Sequence, residues 1–236
     1  MVSASAEFAH AVVGSIGNVI SLILYLSPMP TFCHIYNQKD VEEFQCYPYV
    51  AAVMNCLLLI FQGLPMVAPS ANSPFIFIIN GLGLAVELLY LHIFRYYEKK
   101  HKGFSRVVLF LAAEVILLAI IVTAALLGFH THSNRNLFVG IFCAVSNVVM
   151  YGSPLAIMKK VVLTRSVEYM PHDLSLASFF NGVFWTVYAV IIFDPLTLAS
   201  NGLGALLSLA QLLLYAYYSN PKRTAAVMPV QLEPVI

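Results

Sequence analysis

Seven long apolar stretches run along the chain near positions 8–28, 47–67, 74–97, 105–128, 136–158, 172–193 and 197–219, separated by short polar intervals. Each is close to the roughly 20 residues that an α-helix needs to cross about 30 Å of hydrocarbon. Strands of a membrane barrel would alternate polar and apolar residues over segments of roughly ten, whereas these stretches are continuously apolar. The pattern predicts an all-α membrane protein with seven transmembrane helices. The tightest connection falls at Asp194-Pro195, between the sixth and seventh.

The pattern also repeats. Pro28 returns as Pro154, Val41-Glu42 as Val167-Glu168 and Asn55 as Asn181, each 126 positions later. After a five-residue loop difference, Asn80-Gly81-Leu82-Gly83 returns as Asn201-Gly202-Leu203-Gly204, and Tyr96-Tyr97 as Tyr217-Tyr218, 121 positions apart. Seven spans holding two copies of three leave the fourth as a linker. A single extra crossing lets both triplets enter the membrane in the same direction, so the repeats are expected to be parallel, about an axis along the membrane normal. The expected organisation is a first triple-helix bundle over 8–97, a linker helix with its loops over 98–135, a second bundle over 136–219 and a disordered cytosolic tail over 220–236. Residues repeated around such an axis are where a substrate would sit.

Composition agrees with the bilayer: 60% of residues are hydrophobic and 10% charged, far from a soluble domain. Eleven of the twelve Lys and Arg residues fall on one side of the predicted spans, and Arg135 alone on the other. Short cytosolic loops keep such an excess, which sets the N-terminus outside and the C-terminus in the cytosol. The first span does not read as a cleaved signal peptide, because it lacks a basic start, carries Glu7 and ends at a repeated proline. Cys33, Cys46, Cys56 and Cys143 have no metal or redox spacing and are expected to be free, buried thiols. No phosphate-binding glycine loop, His-Glu-x-x-His or serine elbow occurs, so the chain is not expected to be an enzyme and needs no cofactor or metal. Nothing points to nucleic acid.

Asn80 and Asn201 stand in apolar runs, where an amide without a partner costs several kcal/mol. A carboxamide donates and accepts without charge, which suits a neutral polyhydroxylated ligand; a single membrane asparagine more often bridges helices. Repetition with the same Gly-Leu-Gly flank favours the ligand. Asn55 and Asn181 form a second pair with less shared flank. One turn beyond Asn181, Trp185 occupies the position that Leu59 holds in the first copy; an indole can cover a pyranose ring or anchor a helix at the interface. The glycines at 81, 83, 202 and 204 read as packing residues. Pro28 and Pro154 end the first helix of each copy, Pro48 and Pro171 begin the second, and the four together would form a ring of hinges on the cytosolic side. Glu87 shares the face of Asn80, and the second copy has Ser208 there. A carboxylate at that depth is either proton-coupling or a structural bond between helices; Glu114 on the linker has the same two readings. His130 and His132 read as solvated loop residues.

These residues resemble one family. Gly17-Asn18, Leu26-Ser27-Pro28-Met29-Pro30-Thr31-Phe32, Pro48-Tyr49 and Asn80-Gly81 in the first half are similar to the SWEET sugar transporters, plant type. So are Ser153-Pro154-Leu155, Thr164-Arg165-Ser166-Val167-Glu168-Tyr169-Met170-Pro171 and Asn201-Gly202-Leu203-Gly204 in the second. The resemblance implies a 3+1+3 fold and bidirectional, energy-independent sugar movement. It assigns pocket asparagines to Asn80 and Asn201, selectivity positions to Leu24, Asn55, Met150 and Asn181, the pocket tryptophan to Trp185 and the proline tetrad to Pro28, Pro48, Pro154 and Pro171. Asp194 matches an acid near the external gate. Leu59 replaces a first-half tryptophan of many relatives, and Gln62 stands where a gate tyrosine often stands, so Gln62 to Asp194 is the expected latch. Asn55, Asn181 and Met150 are larger than their counterparts in sucrose-moving relatives, which implies a smaller pocket and the hexose branch.

The expected function is therefore glucose or hexose uniport by alternating access, with a neutral sugar and the lipid bilayer as partners. Homo-oligomers, or hetero-oligomers with related chains, are expected. The plasma membrane is the expected location and the vacuolar membrane the alternative. A proton-coupled symporter using Glu87 is the rival reading, and a seven-helix receptor a more distant one.

Overall fold

The structure, a computed structural model, describes residues 4–42, 44–67, 74–98, 105–150, 152–167, 170 and 172–219. Pro171 of the expected hinge ring and the expected disordered tail over 220–236 lie outside the described residues. Nine helices form among those described: α1 (Ala4–Leu26), α2 (Met29–Gln38), α3 (Tyr47–Gln62), α4 (Pro74–Tyr97), α5 (Arg106–Gly128), α6 (His132–Met150), α7 (Gly152–Thr164), α8 (His172–Ile192) and α9 (Pro195–Tyr218). They amount to seven crossings, because α1 with α2 and α6 with α7 are two halves of single spans. Six stretches among the described residues are long and apolar enough to cross a bilayer. The seventh, α3, has 16 residues, about 24 Å at 1.5 Å per residue.

The first span differs from expectation in continuing past Pro28. Proline has no N–H to give the carbonyl of Leu24. That carbonyl is taken instead by the Ser27 N–H at 3.2 Å and the Ser27 hydroxyl at 2.7 Å. Pro28 then caps α2, whose first turn tolerates Pro30, and the Phe32 N–H returns to the Pro28 carbonyl at 3.2 Å. Pro28 is thus a bend within a longer helical span, not its end. Pro154 lies in the first turn of α7, which likewise continues to Thr164. Pro48 is exposed in the first turn of α3. α2 ends at Lys39, in the left-handed region with φ 58°, and the position 126 residues on, Arg165, has φ 53°. The backbone has repeated a non-glycine residue in a conformation that costs energy.

Packing follows the duplication. α1 packs on α4 and α8, and its counterpart α6 packs on α9 and α3; α2 lies on α4 as α7 lies on α9; α3 pairs with α4 as α8 pairs with α9. Exchanging the copies returns the same set of neighbours, as two parallel bundles require. α5 breaks the symmetry by packing on α3 and α6, across one of the two seams between bundles, while Val115, Ile116 and Ile120 face outward to lipid. Met54, Leu58, Phe61 and Val67 meet Ile121, Ala125, Val139 and Cys143 along that seam. Within the first bundle, Phe32 stacks on Tyr90 with ring centroids 4.2 Å apart and holds α2 to α4. The same end is tied by Lys39, whose ammonium donates to the Tyr97 hydroxyl at 3.1 Å and lies 3.8 Å from the Tyr36 ring centroid. That hydroxyl keeps the Lys39 ammonium charged above the ordinary lysine range.

Thr131 starts α6 by accepting the Asn134 N–H, so His132 is the first residue of a helix, exposed to solvent, and not part of a loop. The four cysteines are free, but Cys33 is exposed, contrary to the expectation that all are buried.

Candidate functional site

The two repeated asparagines have the same local geometry. Asn80 on α4 is buried and its Nδ2 donates to the carbonyl of Ile76 at 2.7 Å. Asn201 on α9 is half-buried and its Nδ2 donates to the carbonyl of Thr197 at 3.0 Å. In each case the acceptor is the carbonyl one turn earlier, which fixes which end of the amide is nitrogen and aims the oxygen away from the backbone. Asn80 Oδ1 is met by the Tyr25 hydroxyl at 3.4 Å, and that hydroxyl also lies 3.3 Å from the Cys56 sulfur.

Asn55 and Asn181 are treated differently. Asn55 on α3 is buried and its Oδ1 finds no partner among the described residues. Asn181 on α8 accepts from the Ser21 hydroxyl at 2.6 Å, and Ser21 in turn accepts from Trp185 Nε1 at 2.9 Å. This chain of two bonds crosses the seam between α1 and α8. It places Trp185 inside the protein, 9% exposed, against Ile79 and Tyr188, so the indole is not an interfacial anchor. Its N–H is already donated to Ser21, so only the ring face remains for a ligand. Gly17 on α1 leaves the room, since a methyl group there would lie 3.3 Å from the indole. Leu59, the counterpart of Trp185, packs on the opposite seam with the Met54 to Cys143 cluster. Leu24 on α1 and Met150, the last residue of α6, are both half-buried.

Glycines in the repeated motif are not alike. A methyl group at Gly83 would overlap the ring of Tyr25, and one at Gly182 would lie 2.8 Å from the backbone of Ala205. Gly81 meets nothing within 4 Å, and Gly202 only Thr186 at 4.0 Å. Close packing is thus a property of Gly83 and not of Gly81 or Gly202. Glu87 is buried on α4, and its Oε2 has no hydrogen-bond partner among the described residues. Glu114 on α5 also has an Oε2 without a partner among the described residues.

At the opposite end of the bundles, Gln62 donates to Asn136 at 3.0 Å, joining α3 to α6. Asp194 is occupied with its own helix: Oδ1 accepts from the N–H groups of Leu196 and Thr197 at 3.1 and 3.2 Å, and Oδ2 from the Thr197 hydroxyl at 2.7 Å. No bond joins Gln62 to Asp194 among the described residues. Asp194 also closes α8, its N–H reaching the Ala189 carbonyl at 3.0 Å while Phe193 adopts φ 55°. One residue therefore ends one helix and begins the next, which explains the two-residue turn.

A family of known proteins shares this duplicated architecture. The family described as sugar efflux transporters for intercellular exchange matches twice, over residues 11–102 and 137–223. The chain belongs to the SWEET family. Bidirectional sugar transporter SWEET4 of Arabidopsis thaliana is 50% identical over 214 residues, covering 91% of this chain and 84% of that protein. Bidirectional sugar transporter SWEET7b of Oryza sativa subsp. indica is 49% identical over 222 residues, covering 93% and 82%. A solved eukaryotic SWEET transporter superposes with a TM-score of 0.85 at 34% identity, covering 92% of this chain and 99% of that one. SWEET proteins are multi-pass sugar transporters of the membrane and not enzymes.

In this SWEET the residues that sequence reasoning did not single out are Ser21, Tyr25, Asn136 and Arg135 as a structural residue. Arg135 reads from sequence only as the lone external cation. In the fold its guanidinium donates to the carbonyls of Phe129, Met66 and Leu126 at 2.8, 3.1 and 3.2 Å, fastening the end of α5 and the segment after α3 to the start of α6. A signal for Ser21 and Tyr25 was present in the helical spacing: they lie four residues apart, on the same face of α1 and beside Leu24.

Proposed function

We propose that this chain carries a hexose, glucose first, down its concentration gradient in either direction. Two bundles, 8–97 and 136–219, rock about a midplane site between Asn80 and Asn201. The observation that carries the reading is the repeated amide geometry. Each bundle contributes one asparagine from an apolar helix, turned the same way by the carbonyl one turn earlier. A neutral pair of this kind binds a neutral polyol weakly and similarly from both sides, which a carrier needs in order to release it. The orphaned Oδ1 of Asn55 fits the same reading, because a buried acceptor with no protein partner calls for water or a ligand hydroxyl. Asn55, Asn181, Leu24 and Met150 narrow the pocket towards a monosaccharide, the ring face of Trp185 covers one side of the sugar, and Leu59 makes the aromatic contact one-sided.

Pro28 and Pro154, at the bends of the two long spans, are the hinges in this reading, with Pro48 and Pro171 at the starts of the neighbouring helices. Gln62, through Asn136, and Asp194 belong to the external closure. The N-terminus lies outside and the C-terminus in the cytosol, in the plasma membrane or, alternatively, the vacuolar membrane, and the chain associates into oligomers.

Glu87 favours a second reading. A buried carboxyl oxygen without a partner fits a group that exchanges a proton during transport. The two readings part in proteoliposomes offered labelled glucose or sucrose with and without a pH gradient. Uniport predicts glucose equilibration without any gradient and no accumulation when one is imposed. Accumulation driven by acid outside would establish the symporter, and movement of sucrose alone would overturn the hexose assignment.

A further inference from the structure

The hydroxyl of Tyr25 is where three helices of the first bundle converge. It comes from α1, meets Asn80 Oδ1 on α4 at 3.4 Å and the Cys56 sulfur on α3 at 3.3 Å. The ring reaches that point only because position 83 has no side chain: a methyl group there would overlap the ring at Cζ and both Cε atoms. The ring also packs against the cluster that Ile79 of α4 forms with Trp185 and Tyr188 of α8. Gly81, two residues earlier in the same motif, faces open space, so the glycine requirement is specific to the side on which Tyr25 lies.

The duplication points the same way. The positions equivalent to Tyr25, Asn80 and Gly83 hold Tyr151, Asn201 and Gly204, all three at the separations that relate the two copies. The second Glu87 and Cys56 positions hold Ser208 and Gly182 instead. Within one chain, then, the tyrosine, the asparagine and the glycine that admits the ring are retained together while their polar neighbours diverge.

We propose that Tyr25 is a positioning residue for the sugar site: its hydroxyl holds the oxygen end of the Asn80 amide, as the Ile76 carbonyl holds the nitrogen end. With both ends held, Asn80 keeps one N–H and one lone pair in fixed directions for a sugar hydroxyl. The saving is in ordering the amide before the ligand arrives. This rests on the reading of Asn80 as a sugar ligand.

The test is equilibrium exchange of labelled glucose in proteoliposomes, separating half-saturation from maximal rate per molecule. The variants are Tyr25→Phe, Gly83→Ala, Asn80→Ser and the double variant Tyr25→Phe/Asn80→Ser. Tyr25→Phe keeps the ring and its packing and removes only the hydroxyl. The expected result is a half-saturation raised about three- to tenfold with the maximal rate within about twofold, the size of one hydrogen bond's effect. Gly83→Ala, which displaces the ring, should do the same. The double variant should be no worse than Asn80→Ser alone, because the two residues act through one interaction. Asn80→Ser raising half-saturation while Tyr25→Phe leaves it unchanged would overturn the positioning role alone, as would effects that multiply in the double variant. Asn80→Ser leaving half-saturation unchanged would remove the sugar-ligand reading and this inference with it.

Discussion

Replacing Ser21 by alanine probes the seam between the bundles at one atom. The Ser21 hydroxyl donates to Asn181 Oδ1 at 2.6 Å and accepts from Trp185 Nε1 at 2.9 Å, and both partners come from α8. Ser21→Ala removes two hydrogen bonds, each worth about 0.5–1.5 kcal/mol net. The loss is about 1–3 kcal/mol, concentrated between bundles that separate in the proposed transport cycle. Spent entirely on the equilibrium between conformers, it shifts that equilibrium about 5- to 150-fold away from the one described. Trp185 is the only tryptophan in the chain, so its emission reports this site alone. Ser21→Ala should shift the emission to the red as water replaces the lost acceptor. Thermal unfolding should fall by about 2–4 °C per kcal/mol, the range for a chain of 150–250 residues. Ser21→Thr, which keeps a hydroxyl, should restore both. An unchanged spectrum together with an unchanged midpoint would refute the claim that this pair of bonds holds the seam.

Arg135→Ala should lower the unfolding midpoint by several degrees: three carbonyl contacts, discounted for partial exposure, are worth about 1–3 kcal/mol. An unaltered midpoint in a melt of purified protein would show that the staple does not form. Asp194→Ala should cost about 1 kcal/mol through the lost cap of α9, read as a lower midpoint. Altered exchange at an unaltered midpoint would instead return Asp194 to a gating role. Glu87→Gln should leave glucose exchange unchanged between pH 5 and 8 if the carrier is a uniporter, and loss of pH-driven accumulation in that variant would support proton coupling. The Lys39 ammonium is held above the ordinary lysine range, so its contribution to stability is complete below the unfolded pKa and lost only as pH rises through the folded one. Thermal melts of wild type and Lys39→Met should therefore differ by the same amount at pH 6 and pH 8.

The seven crossings and the parallel repeat were legible because lipid and duplication leave marks that need no knowledge of contacts. The bends were half legible. Pro28 announces an interrupted helix, but only the Ser27 hydroxyl and the first-turn tolerance of Pro30 allow α2 to resume, and those depend on local geometry. The glycine motif shows why repetition alone does not assign a role. Gly81 and Gly83 are two residues apart and so point to nearly opposite faces of α4, one open and one filled by Tyr25. Bonds between bundles were not legible at all: Ser21 lies 160 residues from Asn181 and 164 from Trp185. No local spacing encodes a partner at that distance. Arg135 was legible as a charge and not as a staple, because its three acceptors are backbone carbonyls that every residue possesses.

The central claim is that a neutral sugar crosses at the repeated asparagines without an ion gradient. It is tested most directly by exchange of labelled glucose, in both directions, in proteoliposomes containing wild type, Asn80→Ala or Asn201→Ala and no gradient of any ion. The account predicts equilibration by the wild type from either side and its loss in both variants. Equilibration by either variant at the wild-type rate and half-saturation, or a wild type that moves no glucose until a pH gradient is imposed, would contradict it.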